Sequence, residues 1–578
     1  MKGEEVALGQ QKLFDQPIRN LPDPYLLAVL AVSAGLGMYQ LSWGLPNGNY
    51  SWAADALGPL TVLSIAQHSF GAWNSGWFYF KYPLGYPLLL LASYVPYLGA
   101  LVLTGRFRHP TASYPYGFSN PESALYLMAL SGRVLNVAMV VATVALTYGI
   151  GRRLVGRTAA RLAGFFVLTA YPVVYYAHTT NLYVPSLFWL MLALWSTVVA
   201  LQSDSRWPGA VLGIAAAMSV STKEQDLPFL AVLPLMVIVS KRRTLAARLG
   251  GAQVWRQALW NAQTRATVVA ALITGALANN LLLNPRGALN RVLNLTGHKL
   301  PGVTARLTPV EFAFFKGWPK ELMYGRQLVD RMESTLGLPL FVVAVVGIFF
   351  VLRYRSRAAV CLLGPAAAYY FFALRTHATQ IALRYAVPLI PIFALCAAVV
   401  CAAAMAGRWR RLATVGVAGL CLLGLARAVE LDLLLRHDAR YQAEAWINRN
   451  VKAGSVAEVY QKPTYLPRLP GFDVREVPLP ERTIDGVGER HPDVIIISSA
   501  AKMGITHHWN ADWRQGNTLV SVQPEARAFL DALENGRLPY RRVAQFSQHP
   551  VLLRLLVTSL CPEISVFERV PLGDHHVS

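Results

Sequence analysis

The chain has 578 residues, of which 54% are hydrophobic and only 15% are charged. A soluble protein of this length carries about a quarter charged residues. The composition therefore excludes a disordered chain, a small disulfide scaffold and an ordinary cytosolic enzyme. The formal net charge of +22 comes from basic residues in short clusters between apolar runs, as expected for the inner loops of a membrane protein. We expect the lipid bilayer as its environment and no nucleic acid as a partner.

Twelve apolar runs approach the length of about 20 residues that a membrane-spanning helix needs. They cover 24–42, 83–104, 125–150, 158–176, 182–202, 208–222, 226–240, 266–283, 335–353, 358–374, 384–406 and 411–428. Proline and glycine interrupt 83–104. If this run stays on the outer side, the arginine-rich clusters at 152–157, 241–248 and 408–411 all fall on the N-terminal side. We therefore predict about eleven transmembrane helices and one membrane-associated periplasmic segment.

The composition becomes more polar after about residue 430, where helical runs such as 526–535 alternate with β-like runs at 493–499 and 564–568. This alternation predicts a small α/β domain. The predicted fold is thus an α-helical polytopic membrane protein with a small C-terminal soluble α/β domain, in the bacterial inner membrane. The predicted parts are a cytoplasmic segment 1–23, a transmembrane domain 24–430 with large outer loops 43–124 and 284–334, and an extracytoplasmic domain 431–578.

Cofactor and metal motifs are missing from the sequence. The five cysteines have no zinc-type or disulfide-type spacing. The glycines of Gly149–Gly156 have the wrong spacing for a dinucleotide loop, and no P-loop or HExxH motif occurs. We therefore predict no cofactor and no metal.

One carboxylate stands in the first outer loop. Asp55 follows the first apolar run by about a dozen residues. A carboxylate just outside a membrane can serve as a general base on an acceptor hydroxyl, provided that the hydroxyl comes within hydrogen-bond reach. The alternative is a solvated loop residue or a helix cap.

Three cations stand at outer positions. Lys81 lies in the aromatic stretch Phe78–Pro87, Lys223 in the turn Ser221–Asp226, and Arg384 at the entrance of a span. Lysine and arginine both suit phosphate oxygens. Each also has a structural alternative: a lysine that snorkels at the interface, a Lys223–Asp226 pair within one turn, or an interface anchor.

These landmarks, in this order, resemble the GT-C glycosyltransferases, in particular the bacterial branch similar to dolichyl-phosphate-mannose and aminoarabinose transferases. The resemblance covers roughly residues 24–430. It depends on Asp55, the segment 81–87, Arg133 ahead of Tyr148–Arg157, Tyr171–Ala177, Ser221–Lys223 and Arg384–Pro391. The start of the C-terminal part, Ala443–Asn448, also looks like the outer domain of such proteins.

The resemblance implies inverting transfer of a sugar from a polyprenyl-phosphate donor to a lipid, glycan or protein acceptor on the extracytoplasmic face. Asp55 would be the general base, and Lys81, Lys223 and Arg384 would hold the donor phosphate. Contacts to the sugar or acceptor are expected from Tyr82, His178, Tyr183 and His298.

The chain departs from many relatives at two positions. Ala56 stands directly after Asp55, and Tyr183 stands in the second outer loop, where many relatives carry acids. Because these acids are missing, we expect no metal requirement. Their absence also leaves one alternative to an active transferase, a catalytically inactive relative. The other alternative is a transporter or flippase for a lipid-linked or anionic substrate. Its expected marks are paired broken helices, repeats or buried charges within spans.

Overall fold

The computed structural model of the protein describes residues 23–45, 52–53, 56–111, 113–246, 252–298, 300, 317–375, 381–500, 524–554 and 559–570. Two predictions, the cytoplasmic segment before residue 23 and the candidate base Asp55, therefore lie outside the described residues.

Helices occupy all twelve apolar runs predicted from the sequence. The helices of the membrane part are α1 (Pro24–Met38), α2 (Pro59–Phe70), α3 (Gly85–Leu103), α4 (Pro121–Leu154), α5 (Arg157–Leu168), α6 (Tyr171–Ala177), α7 (Tyr183–Ala200), α8 (Trp207–Val220), α9 (Leu227–Ala246), α10 (Ala252–Leu259), α11 (Ala262–Ala278), α12 (Pro285–Leu295), α13 (Trp318–Leu336), α14 (Leu338–Tyr354), α15 (Ser356–Tyr369), α16 (Ile390–Ala406) and α17 (Arg410–Arg436). A π-helical turn, Tyr370–Leu374, extends α15.

Six of the described helical segments are long and apolar enough to cross a membrane, or up to eight if each of two bent pairs is one span. The bent pairs are α5 with α6, at 57°, and α13 with α14, at 119°. Helices α1, α8 and α11 are apolar but shorter. The structure thus shows a mostly helical protein with several apolar helices, whereas the count of eleven spans stays a prediction. Helix α3, which was predicted not to span, is one of these six helices. Length and composition alone therefore do not distinguish it from a membrane-spanning helix.

Helices α1 and α4 run antiparallel. At one end of the pair, the Tyr148 hydroxyl donates to Asp23 at 2.8 Å. At the other end, Arg133 donates to the carbonyl oxygens of Leu41 and Trp43 at 2.6 and 2.7 Å. The connection from α1 to α4 therefore begins and ends on the same side of the pair, and α3 packs beside the N-terminal half of α4.

The C-terminal part is a five-stranded sheet with helices on both faces. Its elements are α18 (Ala439–Asn450), β1 (Val456–Val459), β2 (Asp473–Glu476), α19 (Ile484–Arg490), β3 (Val494–Ser498), α20 (Pro524–Glu534), β4 (Tyr540–Phe546) and β5 (Ile564–Arg569). The strand order is β2-β1-β3-β5-β4. The first three strands are parallel, and β5 pairs antiparallel with both β3 and β4. The predicted strands at 493–499 and 564–568 are present as β3 and β5.

Two tryptophans of the segment that follows α1 join the two parts of the chain. Trp43 and Trp52 are fully buried, and the guanidinium carbon of Arg440 lies 4.2 Å from the centre of the Trp52 ring. Arg440 forms an ion pair with Asp438 at 2.6 Å, and the Trp43 indole donates to Asp438 at 3.1 Å. Helix α18 is therefore fixed against the end of the membrane part that carries Trp43 and Trp52.

Candidate functional site

The turn between α8 and α9 buries a lysine. Lys223 is 5% exposed, and its Nζ lies 4.8 Å from the ring centre of Tyr183 and 5.2 Å from that of Tyr385. Among the described residues, no hydrogen-bond acceptor reaches this Nζ. A buried ammonium needs compensation for its lost hydration. The two electron-rich ring faces supply part of it by cation–π attraction, and three N–H donors remain for a ligand.

The surroundings of Lys223 also set its charge. Burial lowers the pKa of Lys223 to about 8, the nearby Asp226 carboxylate opposes this shift, and the positive charge of Arg384 adds to it. Asp226 is buried and accepts hydrogen bonds at 2.7 Å from Ser186 and Ser219, while burial raises its own pKa. The carboxylate that favours a charged Lys223 is thus held in place by two hydroxyls.

Arg384 lies close to Lys223 although it is far away in the sequence. It lies in a short helical turn, Leu383–Tyr385, ahead of α16. Its guanidinium carbon lies 5.2 Å from the centre of the Tyr385 ring, so the ring of Tyr385 faces both cations. Their proximity is what makes Arg384 lower the pKa of Lys223.

The segment with Lys81 and Tyr82 lies against the Lys223 turn. The Gly85 amide donates to the Ser221 carbonyl at 2.7 Å. A Cβ atom on Gly85 would lie 2.6 Å from the same oxygen, so only glycine allows this approach. Lys81 is exposed, and its Nζ lies 5.3 Å from the Tyr82 ring centre.

We call Lys81, Tyr82, Tyr183, Lys223, Arg384 and Tyr385 the cationic cluster. Five of these six positions were predicted as site residues from the sequence, and the fold brings their segments together from four different stretches of the chain. Lysine ammonium and arginine guanidinium groups suit phosphate oxygens. Tyrosine rings supply apolar faces beside it, on which a sugar or prenyl chain can pack.

Two other predicted site residues lie elsewhere. His178 is fully buried, and its ring nitrogens lie 2.8 and 2.6 Å from the carbonyl oxygens of Val174 and Tyr39. Since both nitrogens face the backbone, His178 joins α1 to α6, and the expected contact to sugar or acceptor is not supported. His298 is exposed after α12, with its Nδ1 2.9 Å from the Thr296 hydroxyl.

Sequence reasoning missed two partners of the site. Tyr385 follows Arg384 directly, so adjacency to a predicted cation was an available signal. Arg291 of α12 forms an ion pair with Glu224, next to Lys223. The two residues stand 67 positions apart in the chain, so only the fold shows this contact. Within the described part of the chain, no three His, Cys, Asp or Glu side chains come together as a group that could hold a metal ion.

The comparisons with known proteins concern the same region. Residues 128–259 match the model of a family described as dolichyl-phosphate-mannose-protein mannosyltransferase. The match includes α7, α8 and the turn that carries Lys223, and it confirms the family resemblance inferred from the motifs. No curated protein matches the sequence.

Several solved structures are similar to this one. ArnT from Cupriavidus metallidurans bound to undecaprenyl phosphate is 13% identical over 94% of this chain and 98% of that chain, with a TM-score of 0.42. The Archaeoglobus fulgidus oligosaccharyltransferase with zinc and sulfate is 12% identical over 81% and 68% of the two chains, with a TM-score of 0.42. The archaeal oligosaccharyltransferase AglB from A. fulgidus, with an inhibitory peptide and a dolichol-phosphate, is 11% identical over 94% and 88%, with a TM-score of 0.40.

Proposed function

Since the family match over residues 128–259 indicates a membrane glycosyltransferase of the GT-C type, we propose that the chain transfers a sugar from a polyprenyl-phosphate donor. The acceptor is a hydroxyl of a lipid, glycan or protein on the extracytoplasmic face, and transfer inverts the anomeric centre. The observation that carries the proposal is Lys223, a buried ammonium whose Nζ has no hydrogen-bond acceptor among the described residues. Buried N–H donors are costly to leave without hydrogen-bond acceptors.

The donor phosphate fits the cationic cluster. Lys223 and Arg384 would bind its oxygens from the membrane side, and Lys81 would bind from the exposed side. As the bond between the anomeric carbon and the phosphate oxygen breaks, its electron pair goes to the phosphate, whose negative charge grows. Fixed cations already in place stabilise that charge at the transition state. The rings of Tyr82 and Tyr183 would face the sugar.

Asp55 is the proposed general base. The acceptor oxygen attacks the anomeric carbon from the face opposite the phosphate, and its proton passes to the carboxylate. Proton transfer of this kind contributes roughly 10²–10⁴-fold in rate. Leu57, two positions after Asp55, exchanges hydrogen bonds of 3.1 and 2.8 Å with Thr180, ahead of Tyr183. This pairing brings Leu57 close to the segment that carries Tyr183.

The proposed topology has the N-terminus cytoplasmic and the C-terminal domain periplasmic. The antiparallel pair α1–α4 supports one part of it, the placement of α3 on one side of the membrane. The chain between α1 and α4 begins and ends on the same side of this helix pair. Helix α3, which lies in that connection, therefore need not cross the membrane. The two bent helix pairs match one feature expected of the transporter alternative. The buried charge of Arg133 in α4 does not match the other, because Arg133 donates to the Leu41 and Trp43 carbonyls and so holds the end of α1.

The test compares glycan and lipid mass spectra of cells that lack the protein, complemented with wild type or with Asp55→Asn, Lys223→Met or the control Lys320→Met on the exposed side of α13. We expect wild type and Lys320→Met to restore a mass shift of one sugar unit. Asp55→Asn and Lys223→Met should not, at equal expression. Full restoration by Asp55→Asn would exclude it as the general base, and the absence of any protein-dependent glycoform would favour the transporter or the inactive relative.

A further inference from the structure

Arg291 connects two of the three segments that carry the proposed phosphate ligands. It is 8% exposed on α12. Its Nε donates to Glu224 at 2.9 Å and its Nη2 to the same carboxylate oxygen, while its Nη1 donates to the Tyr79 carbonyl. Glu224 directly follows Lys223, and Tyr79 stands two residues before Lys81. One guanidinium therefore joins the turn that carries Lys223 to the segment that carries Lys81.

The negative charge of Glu224 would weaken anion binding at this site unless a positive charge neutralised it. Its side chain is 32% exposed, in the same turn as Lys223 and Asp226. An unpaired carboxylate there would repel a phosphate and would compete with it for the Lys223 ammonium. A guanidinium that chelates the carboxylate removes both effects.

Helix α12 does not depend on Arg291 for its own position. The Asn284 side chain donates to the Trp77 carbonyl at 2.8 Å and accepts from the Gly76 amide at 3.1 Å. Asn290 donates to the Gly76 carbonyl at 2.8 Å. These bonds hold the helix against residues 76–77 by themselves. Loss of the Arg291 charge should therefore change the cluster without releasing the helix.

We propose that Arg291 is a positioning residue of the phosphate site, which neutralises Glu224 beside Lys223 and holds the Lys223 turn against the segment that carries Lys81. The inference depends on the proposed function, because it assigns a role at the same phosphate site. Arg291 acts through Glu224 and the Tyr79 backbone and is not itself a ligand of the donor.

The test measures direct binding of radiolabelled undecaprenyl phosphate to the purified full-length protein in detergent. We expect Arg291→Met to bind about tenfold more weakly than wild type, as for the loss of one charge-balancing contact. Glu224→Gln should bind at least as tightly as wild type. The double variant Arg291→Met/Glu224→Gln should recover most of the affinity, because the unbalanced carboxylate is gone. A residue needed only for folding would not be rescued in this way.

Three further variants serve as an intermediate case, a control and a replacement if Arg291→Met fails to accumulate. Arg291→Lys should lie between wild type and Arg291→Met, since it keeps the charge but loses the fork. Arg326→Met, an exposed arginine on α13, is the matched control and should bind like wild type. If Arg291→Met does not accumulate in membranes, the reversed pair Glu224→Arg/Arg291→Glu takes its place and should bind within a few-fold of wild type.

Two outcomes separate this inference from the proposed function. If Lys223→Met binds as tightly as wild type, the phosphate site itself is wrong. If Lys223→Met loses binding while Arg291→Met binds like wild type, or while the double variant is as weak as Arg291→Met, the role of Arg291 through Glu224 is wrong and the phosphate site stands.

Discussion

Lys223 shows how one residue gains its chemistry from its surroundings. An exposed lysine at the end of a helix has a pKa near 10.4 and is hydrated on all sides. Here two tyrosine rings replace much of that water, and burial brings the pKa to about 8. The charge persists at neutral pH because Asp226 opposes the shift. The result is a cation that stays charged yet offers its donors to an incoming anion.

This pKa predicts the pH dependence of donor binding. Below about pH 8 Lys223 is protonated and binds phosphate, and above it the proton is lost, so affinity should fall as the pH rises. In Lys223→Arg the guanidinium stays charged, so its affinity should be flat over the same range. The measurement is the Kd for undecaprenyl phosphate between roughly pH 7 and pH 9.5. The phosphate ligand titrates in the same way with both proteins. If the Kd of wild type and of Lys223→Arg changed with pH in parallel, the assignment of the pH dependence to Lys223 would be wrong.

At the scale of elements, α3 closely approaches the turn between α8 and α9, which places the segment that carries Lys81 against the Lys223 turn. The contact depends on Gly85, the first residue of α3. Its amide donates to the Ser221 carbonyl, and the two backbones meet with no space for a side chain between them. A glycine here is a packing requirement, whereas Gly99 in the same helix has no heavy atom within 4 Å of an added Cβ.

The two glycines provide a matched pair of variants. Gly85→Ala places a methyl group against a backbone carbonyl, and overpacking of this kind costs about 1–3 kcal/mol. We expect a lower thermal unfolding midpoint and weaker binding of undecaprenyl phosphate. Gly99→Ala should keep or raise the midpoint, because alanine favours a helix by up to about 1 kcal/mol. Equal midpoints for the two variants, measured by tryptophan fluorescence in detergent, would show that the approach is looser than the structure has it.

At the scale of the whole molecule, Arg440 fixes the C-terminal domain to the membrane part. It is fully buried between Trp43 and Trp52 and donates to the carbonyl oxygens of Thr464 and Ser559. Removal of one partner of a buried ion pair costs about 3–5 kcal/mol, since the other charge is left without compensation. Arg440 therefore contributes to the docking of the domain, together with the hydrogen bonds from the Gly44 amide to the Tyr441 hydroxyl and from Arg468 to the Leu45 carbonyl.

Arg440→Met should accordingly loosen the domain. We expect faster cleavage by trypsin between the membrane part and the domain, together with a lower thermal midpoint. Arg449→Met, an exposed arginine on the same helix α18, is the control and should resist trypsin like wild type. If Arg440→Met were as resistant as Arg449→Met, the remaining contacts would suffice for docking.

The proposed topology gives a separate prediction for the whole chain. With the five native cysteines replaced by alanine, a cysteine at position 123 should react with an impermeant maleimide from outside intact cells, because that end of α4 is proposed to be periplasmic. A cysteine at position 205, after α7, should react only after the cells are permeabilised. Both positions carry exposed serines. Labelling of both from the same side would contradict the eleven-span arrangement.

The sequence by itself determined the membrane class, the twelve apolar helices and the small sheet domain, and it predicted five of the six members of the cationic cluster as site residues. These features follow from local properties: apolar length, charge composition and short motifs read along the chain. Only the tertiary structure decided that His178 faces two backbone carbonyls, that Tyr385 covers Lys223, and that Arg291 reaches Glu224. The reason is physical, because burial and hydrogen-bond partners depend on which distant segments pack together. The residue type alone does not show whether a polar side chain binds a ligand or a backbone carbonyl of the protein itself.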